Sequence, residues 1–193
     1  IELAEPEVAE RLRVVALPHQ GERAMFVGEL RNTGENAWPA GPIALHREGV
    51  RVGKERLYKP VAPGEAVELV FGEADKVELQ RRLVHDKEVD ASGLFRQSRA
   101  RQREIELLVR NGYSVPIVVQ VLEHLPVADD DRVRVSLHGD APSHSEARGV
   151  RGLGAWEEEL SPGEEVTWRV AYTVEWDSRE VESVEGLDGP PGR

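Results

Sequence analysis

The residues in this chain that are best suited to chemistry cluster in its second half. His138, Asp140 and His144 fall within one polar segment, and two imidazoles with a carboxylate can bind a metal ion such as zinc. Their spacing matches no metal-binding signature, and polar loops carry such residues for solvation alone. A metal-dependent hydrolase at this segment is therefore the weakest of three functional hypotheses, and we assign no metal ligands.

Other segments lack the context that their chemistry requires. Aspartates 129–131 offer oxygen ligands without the alternating positions and central glycine of a calcium loop. Residues 149–154, GVRGLG, do not have the glycine order of a dinucleotide-binding fingerprint. Glutamates 157–159 could act as acid and base in a glycosidase, but such runs are usual on an acidic surface. We predict no catalytic or cofactor-binding residues and expect that the protein is not an enzyme.

Two sets of residues are candidates for binding. Trp38 and Trp156 lie near turns and could stack on a sugar, whereas Trp168 and Trp176 lie in phase with an apolar strand face, which predicts core packing. A basic segment stands out from the acidic background and could dock an acidic partner or pair with the protein's own carboxylates. Its arginines are Arg96, Arg99, Arg101 and Arg103.

Composition limits the partners. The chain has 193 residues, 25 basic and 36 acidic side chains and a net charge of -11, which opposes nonspecific attraction to nucleic acid or anionic lipid. No apolar run approaches the roughly 20 residues that span a bilayer. We therefore expect a protein partner, self or other, with a glycan as the alternative, and neither nucleic acid nor membrane insertion. A cytoplasmic location is favoured over envelope association. The chain begins without Met, which suggests a fragment or a processed form.

Alternating apolar residues predict an all-β chain. Residues 105–135 contain three predicted strands separated by turns at Asn111-Gly112 and Leu125-Pro126, and the middle strand, 117–122, is apolar enough to be buried on both faces. Residues 166–176 alternate most cleanly. Further strands are predicted at 12–17, 24–31, 43–47, 50–53, 67–71 and 76–85, with a helix at 6–13 as the alternative for the first and a long loop at 138–154.

The segment between the two halves has two interpretations. Residues 91–104 are predicted to form the tip of a long charged hairpin, and a short helix beginning near Arg96 is the alternative. We favour the hairpin because no residue caps the start of such a helix and the residues that follow alternate as a strand.

A repeated pattern suggests two similar units. Residues 26–32, FVGELRN, precede 61–71, VAPGEAVELVF, and residues 105–111, IELLVRN, precede 160–170, LSPGEEVTWRV. We predict an antiparallel β-sandwich of two tandem immunoglobulin-like lobes. The first lobe covers 1–90, the charged hairpin 91–104, the second lobe 105–177, and a loosely ordered acidic tail 178–193.

The same motifs carry a family resemblance. ALP at 16–18, LRN at 30–32, residues 39–53, VAPGE with VELVFG, VRN at 109–111, HLPV at 124–127, LSPGE and the strand 172–176 are similar to the C-terminal domain of unknown function in bacterial mucoidy inhibitor A-like proteins. The resemblance implies a link to cell-envelope or exopolysaccharide regulation, and it implies no catalytic residues. It covers most of the chain.

The leading hypothesis is a non-enzymatic β-sandwich module for protein interaction or structure. Its exposed strand edges could recruit a partner by strand addition. The second hypothesis is a carbohydrate-binding or carbohydrate-active sandwich that uses Trp38 and Trp156.

Overall fold

The computed structural model describes residues 12–21, 23–47, 49–91 and 98–177. Eleven strands fill most of these residues, and two short 3-10 helices, η1 (Pro18–Gln20) and η2 (Ala147–Gly149), lie between them. No helix in this part of the chain is long and apolar enough to cross a membrane. The strands are β1 (Leu12–Ala16), β2 (Ala24–Arg31), β3 (Gly41–Arg47), β4 (Val50–Leu57), β5 (Ala66–Glu73), β6 (Val77–Ala91), β7 (Ser98–Asn111), β8 (Ile117–His124), β9 (Val133–Gly139), β10 (Leu153–Leu160) and β11 (Glu165–Asp177).

The strands form two main sheets and one hairpin. The five-stranded sheet has the order β10-β8-β1-β2-β5, the four-stranded sheet has the order β6-β7-β11-β9, and β3 pairs with β4. All pairs are antiparallel except β1 with β8, which is parallel. The predicted all-β, sandwich-like fold is confirmed.

One core joins the two main sheets. Val14 and Phe26 of the five-stranded sheet belong to the same buried cluster as Leu107 and Val170 of the four-stranded sheet. A second cluster covers the other face of the five-stranded sheet, where Ala147 of η2 packs with buried residues such as Val15 and Leu122. The central part of the five-stranded sheet is therefore buried on both faces, as predicted for β8.

The repeated sequence pattern corresponds to repeated strands, one set in each sheet. In the first set β2 pairs with β1 on one side and with β5 on the other. In the second set β7 pairs in the same way with β6 and β11. Each sheet of the sandwich is thus built around one copy of a three-stranded unit.

A buried asparagine ends the middle strand of the first copy. Asn32 is fully buried, and its side-chain Nδ2 donates to the carbonyl oxygens of Val61 (2.8 Å) and Asn36 (2.9 Å). Its backbone carbonyl accepts from the N–H of Gly64 at 2.7 Å. The side chain links the carbonyl groups of two separate loop segments, and it fixes the turn that precedes β5.

Asn111 repeats these contacts in the second copy. It is also fully buried, and Nδ2 donates to the carbonyl oxygens of Leu160 (3.0 Å) and Val115 (2.9 Å). Its backbone carbonyl accepts from the N–H of Gly163 at 2.8 Å. The Pro-Gly-Glu turns therefore match in structure as they match in sequence.

The sheets do not follow the predicted boundary between two tandem lobes. Strands β1, β2 and β5 of the proposed first lobe share a sheet with β8 and β10 of the proposed second lobe. The expectation of side-by-side lobes is corrected because each repeat is too small to bury both of its faces alone. Each copy instead covers the other.

Several local predictions can be compared with the structure. Strands β6 and β7 pair along their length, from Val77 with Asn111 to Ala91 with Ser98, and residues 92–97 of the predicted hairpin tip lie outside the described residues. The turn at Asn111-Gly112 leads from one sheet to the other and does not form a hairpin, because β7 and β8 lie in different sheets. The predicted loop at 138–154 ends at β10, a strand that the sequence analysis missed. The predicted tail, 178–193, lies outside the described residues.

Candidate functional site

Strand β9 forms one edge of the four-stranded sheet. It pairs with β11 from Val133 opposite Trp176 to Gly139 opposite Val170. Within the described part of the chain, no strand pairs with its other side. Of its apolar residues, Val133 and Val135 are partly buried against the core, and the side chain of Leu137 is 49% exposed.

The direction of the β9 backbone groups follows from a contact just beyond the strand. The N–H of Asp140 donates to the carbonyl of Arg169 at 2.8 Å, so Arg169 directs its backbone polar groups toward β9. Alternate residues of a strand direct these groups to the same side. Ser136, opposite Thr173, is therefore bonded to β11, whereas Val135 and Leu137 present N–H and C=O groups to the open edge.

A polar concavity of about 480 Å³ borders the first half of β9. Its rim carries three aspartates in the loop before the strand. Arg151 contacts Asp129 and donates to the carbonyl of Ala128 at 2.7 Å. Arg132 Nε donates to Asp130 Oδ1 at 2.9 Å. The hydrogen bonds from the side chain and from the backbone N–H of Arg132 lower the pKa of Asp130 to about 2. Asp131 has no hydrogen bond or ion pair with any described residue.

A smaller, largely apolar concavity of about 210 Å³ borders the other end of β9. Its lining includes Leu125, Leu137 and Val170, so it lies between the two sheets. Gly139, which also lines this concavity, has a φ of 81°. A Cβ there would lie 2.2 Å from the carbonyl oxygen of Arg169, so only glycine fits this position.

The edges of the five-stranded sheet are less accessible. The edge strand β10 already has a partner at Ala155, which exchanges two backbone hydrogen bonds with His144. At the other edge, the hairpin β3–β4 lies close to β5, because a Cβ on Gly72 would be 3.7 Å from the carbonyl oxygen of Val52. Both edges are therefore partly covered.

The fourth edge, β6, is long and highly charged. It has 15 residues, and a β-bulge interrupts its pairing with β7 between Leu83 and His85. Charged side chains and bulges are two of the devices by which proteins prevent an edge strand from pairing with another chain. Among the four edges, β9 therefore offers the least obstructed backbone.

The basic segment lies on β7 beside this charged edge. Asp86 accepts hydrogen bonds from Arg101 Nε and from Arg103 Nη2, both at 2.7 Å, and Arg99 Nη1 lies 3.2 Å from Glu88 Oε1. The hydrogen bond from Arg101 is the largest cause that lowers the pKa of Asp86 to about 2, and Arg103 adds to it. These three arginines pair with the protein's own carboxylates, and Arg96 lies outside the described residues.

The burial of the tryptophans agrees with the sequence prediction at Trp168 and Trp176 and differs from it at Trp156. Trp156 is only 2% exposed, and its Nε1 donates to the carbonyl of Asp140 at 3.0 Å. The expectation that Trp156 is exposed is therefore wrong, because residues that follow β9 cover it. Trp38 is partly buried and pairs through its backbone with Val61. Trp168 and Trp176 are buried, as predicted.

The histidine-containing segment does not assemble a metal site. His138 Nε2 lies 3.2 Å from Thr173 Oγ1, Asp140 Oδ2 accepts from the backbone N–H of Arg169 at 2.7 Å, and His144 pairs with β10. The described residues contain no group of three or more metal-ligating side chains arranged around a common point.

The fold and the site define an all-β sandwich domain in which the β9 edge has no second strand partner among the described residues and adjoins two concavities. The chain belongs to the family described as "Domain of unknown function (DUF4139)", whose sequence profile matches residues 8–178. No curated protein and no solved structure matched the chain.

The sequence pattern predicts β9 as a strand, but it does not indicate that β9 is an edge strand. The alternation of Val133, Val135 and Leu137 was sufficient to predict a strand. The order of strands in a sheet depends on pairing between distant segments, for which the sequence carries no local signal. The contact of His19 with His124 was missed for the same reason.

Proposed function

We propose that this domain is a non-enzymatic protein-interaction module that accepts an extended strand of another protein along the open edge of β9. The observation that carries the proposal is the outward direction of the backbone groups of Val135 and Leu137 on a strand with no second partner among the described residues. In strand addition, main-chain hydrogen bonds supply affinity and adjoining pockets supply specificity.

The two concavities support a partner of particular chemistry. The apolar one suits a medium-sized apolar side chain, because Leu125, Leu137 and Val170 line it. The polar one suits a basic side chain, because Asp131 on its rim has no ion pair with a described residue. The concavities border positions about four residues apart along β9, or about 13 Å. The preferred partner segment therefore has an apolar and a basic residue four positions apart.

The basic segment receives a structural role in this proposal. Arg101 and Arg103 share Asp86, and their side chains are only 23% and 13% exposed. An acidic partner would have to displace these internal ion pairs. We therefore assign partner binding to β9 and stabilisation of the β6–β7 hairpin to the arginines.

The biological setting is also part of the proposal. The resemblance to mucoidy inhibitor A-like proteins supports a role for the interaction in cell-envelope or exopolysaccharide regulation. Direct recognition of a glycan would leave Trp38 as the principal stacking candidate, because Trp156 is buried. Quenching of tryptophan fluorescence across a polysaccharide panel tests this alternative.

The proposal is tested with two matched proline variants. Leu137 on β9 and Leu83 on β6 are 49% and 50% exposed, and both direct their N–H groups to an open edge. Leu137→Pro removes an N–H that an added strand would use, and Leu83→Pro makes the same change at the opposite edge. Wild type and both variants are used to capture proteins from soluble and envelope fractions of the source cells.

We expect a discrete protein that the wild type and Leu83→Pro capture and that Leu137→Pro does not capture. Hydrogen exchange of the purified complex should then show slowed exchange at the amides of Val135 and Leu137. Equal capture by all three baits, or recovery of polysaccharide alone, contradicts binding at β9.

A further inference from the structure

A pair of histidines joins one short helix to both main sheets. The helix η1, which links β1 to β2, packs against β8 of the five-stranded sheet and β6 of the four-stranded sheet. The rings of His19 in η1 and His124 at the end of β8 meet edge to face, with centroids 4.6 Å apart and planes at 70°. The position of η1 therefore depends on a contact between two titratable rings.

The charged groups around this contact are already committed to each other. Glu123 of β8 is 2% exposed, and its Oε2 and Oε1 accept from Arg81 Nε at 2.9 Å and Nη2 at 3.3 Å. Arg81 lies on β6, so this ion pair connects the two sheets. The carboxylate of Glu123 consequently balances the guanidinium of Arg81 and has little capacity to balance a further cation.

His19 is the ring that this environment keeps neutral. Its Nδ1 is buried and has no hydrogen-bond partner. Burial is the main cause that lowers the pKa of His19 below 6.5; the nearby His124 lowers it further, Glu123 raises it, and Arg81 lowers it slightly. A proton on His19 would place a positive charge on a partly buried ring beside a second imidazole and a guanidinium.

We propose that the contact between His19 and His124 is an acid-sensitive latch, which holds η1 against β6 and β8 at neutral pH and releases it when His19 takes up a proton. The latch is independent of the β9 edge, because it uses different strands and the opposite edge of the four-stranded sheet. It requires no ligand. Acidification alone changes the balance of charge at this corner.

The direction of the pH dependence follows from linkage. The pKa of His19 is lower in the folded chain than the ordinary value of 6.5, so the unfolded chain takes up this proton first as the pH falls. The contribution of neutral His19 to stability is complete above 6.5 and is lost as the pH falls from 6.5 through the lower folded pKa.

The test compares His124→Gln with His85→Gln. His124 is exposed, so its replacement should not prevent folding, and His85 is an exposed histidine of β6 that serves as the control. Thermal unfolding is measured at about pH 7.5 and about pH 5.5, values that bracket the ordinary histidine pKa. The pKa of His19 is measured by NMR titration of its ring protons in the same proteins.

We expect the wild type and His85→Gln to lose the same amount of thermal stability on acidification, and His124→Gln to lose less. We also expect the pKa of His19 to rise in His124→Gln, because a like charge has been removed. A His19 pKa at or above 6.5 in the wild type overturns the proposal. An acid-induced loss that is the same in His124→Gln as in the wild type also overturns it.

Discussion

The two edges of the four-stranded sheet differ in how they are protected. Leu137 on β9 and Leu83 on β6 have nearly equal exposure, and each directs its backbone groups away from the sheet. Beside Leu83 the strand is charged and bulged, and its face carries the ion pairs of Asp86. Beside Leu137 the strand is uninterrupted and adjoins an apolar concavity.

This difference separates stability from recognition within one sheet. A charged, bulged edge resists strand addition because an incoming chain would have to disrupt ion pairs and match an irregular register. A short, regular edge with adjoining concavities lacks both barriers. The comparison therefore assigns the charged hairpin to the maintenance of the fold and β9 to binding.

The largest predicted effect distinguishes the two sides of β9. Ser136→Pro should lower the free energy of unfolding by about 2–4 kcal/mol, because it removes a hydrogen bond to β11 and leaves a carbonyl group unpaired. Leu137→Pro should cost about 1 kcal/mol or less, because the N–H that it removes has no partner among the described residues. Chemical denaturation measures both values.

The reverse order of these two costs would show that β9 faces the opposite way. Ser136→Ala serves as the control, since it alters the same side chain and keeps the backbone N–H. Its unfolding free energy should stay close to that of the wild type.

A smaller effect is expected at the charged edge. Asp86→Asn should lower the free energy of unfolding by about 1–2 kcal/mol, because Arg101 and Arg103 lose a charged acceptor. Asp90→Asn, on the same strand, is the matched control, because Asp90 has no ion pair with a described residue. Equal costs for the two variants would remove the role that we assign to Asp86.

The contribution of Asp86 to the free energy of unfolding should also depend on pH. Its pKa is about 2 in the folded chain and 3.8 ordinarily, so the unfolded chain takes up the proton first during acidification. The stability difference between wild type and Asp86→Asn should be constant at pH values above the ordinary pKa. It should shrink as the pH falls from 3.8 to about 2. Denaturant titrations across this interval measure it.

The smallest change in the free energy of unfolding is expected when Arg99 is replaced. Its ion pair with Glu88 joins two side chains that are each 52% exposed, and exposed pairs contribute about 0–1 kcal/mol. Arg99→Ala should therefore unfold within about 0.5 kcal/mol of the wild type, whereas Arg103→Ala should be less stable because Arg103 contacts both Asp86 and Tyr172. A larger cost at Arg99 than at Arg103 would contradict the burial of this ion-pair cluster.

The sequence was most informative where a strand is regular and half buried. The alternation at 166–176 predicted β11, and the Asn and Pro-Gly-Glu repeats at Asn32 and Asn111 predicted two matching units. It failed at β10, where Gly154 and the glutamates at 157–159 interrupt the alternation. It also failed on how the two units pack, because the parallel pairing of β1 with β8 joins distant segments.

Residue-resolved amide hydrogen exchange of the isolated domain tests the open edge of β9 most directly. The account predicts fast exchange at Val135 and Leu137 and slow exchange at Arg134, Ser136 and His138, whose N–H groups bond to β11. Uniform protection of all five amides, or protection in the opposite alternation, would contradict an open edge at β9.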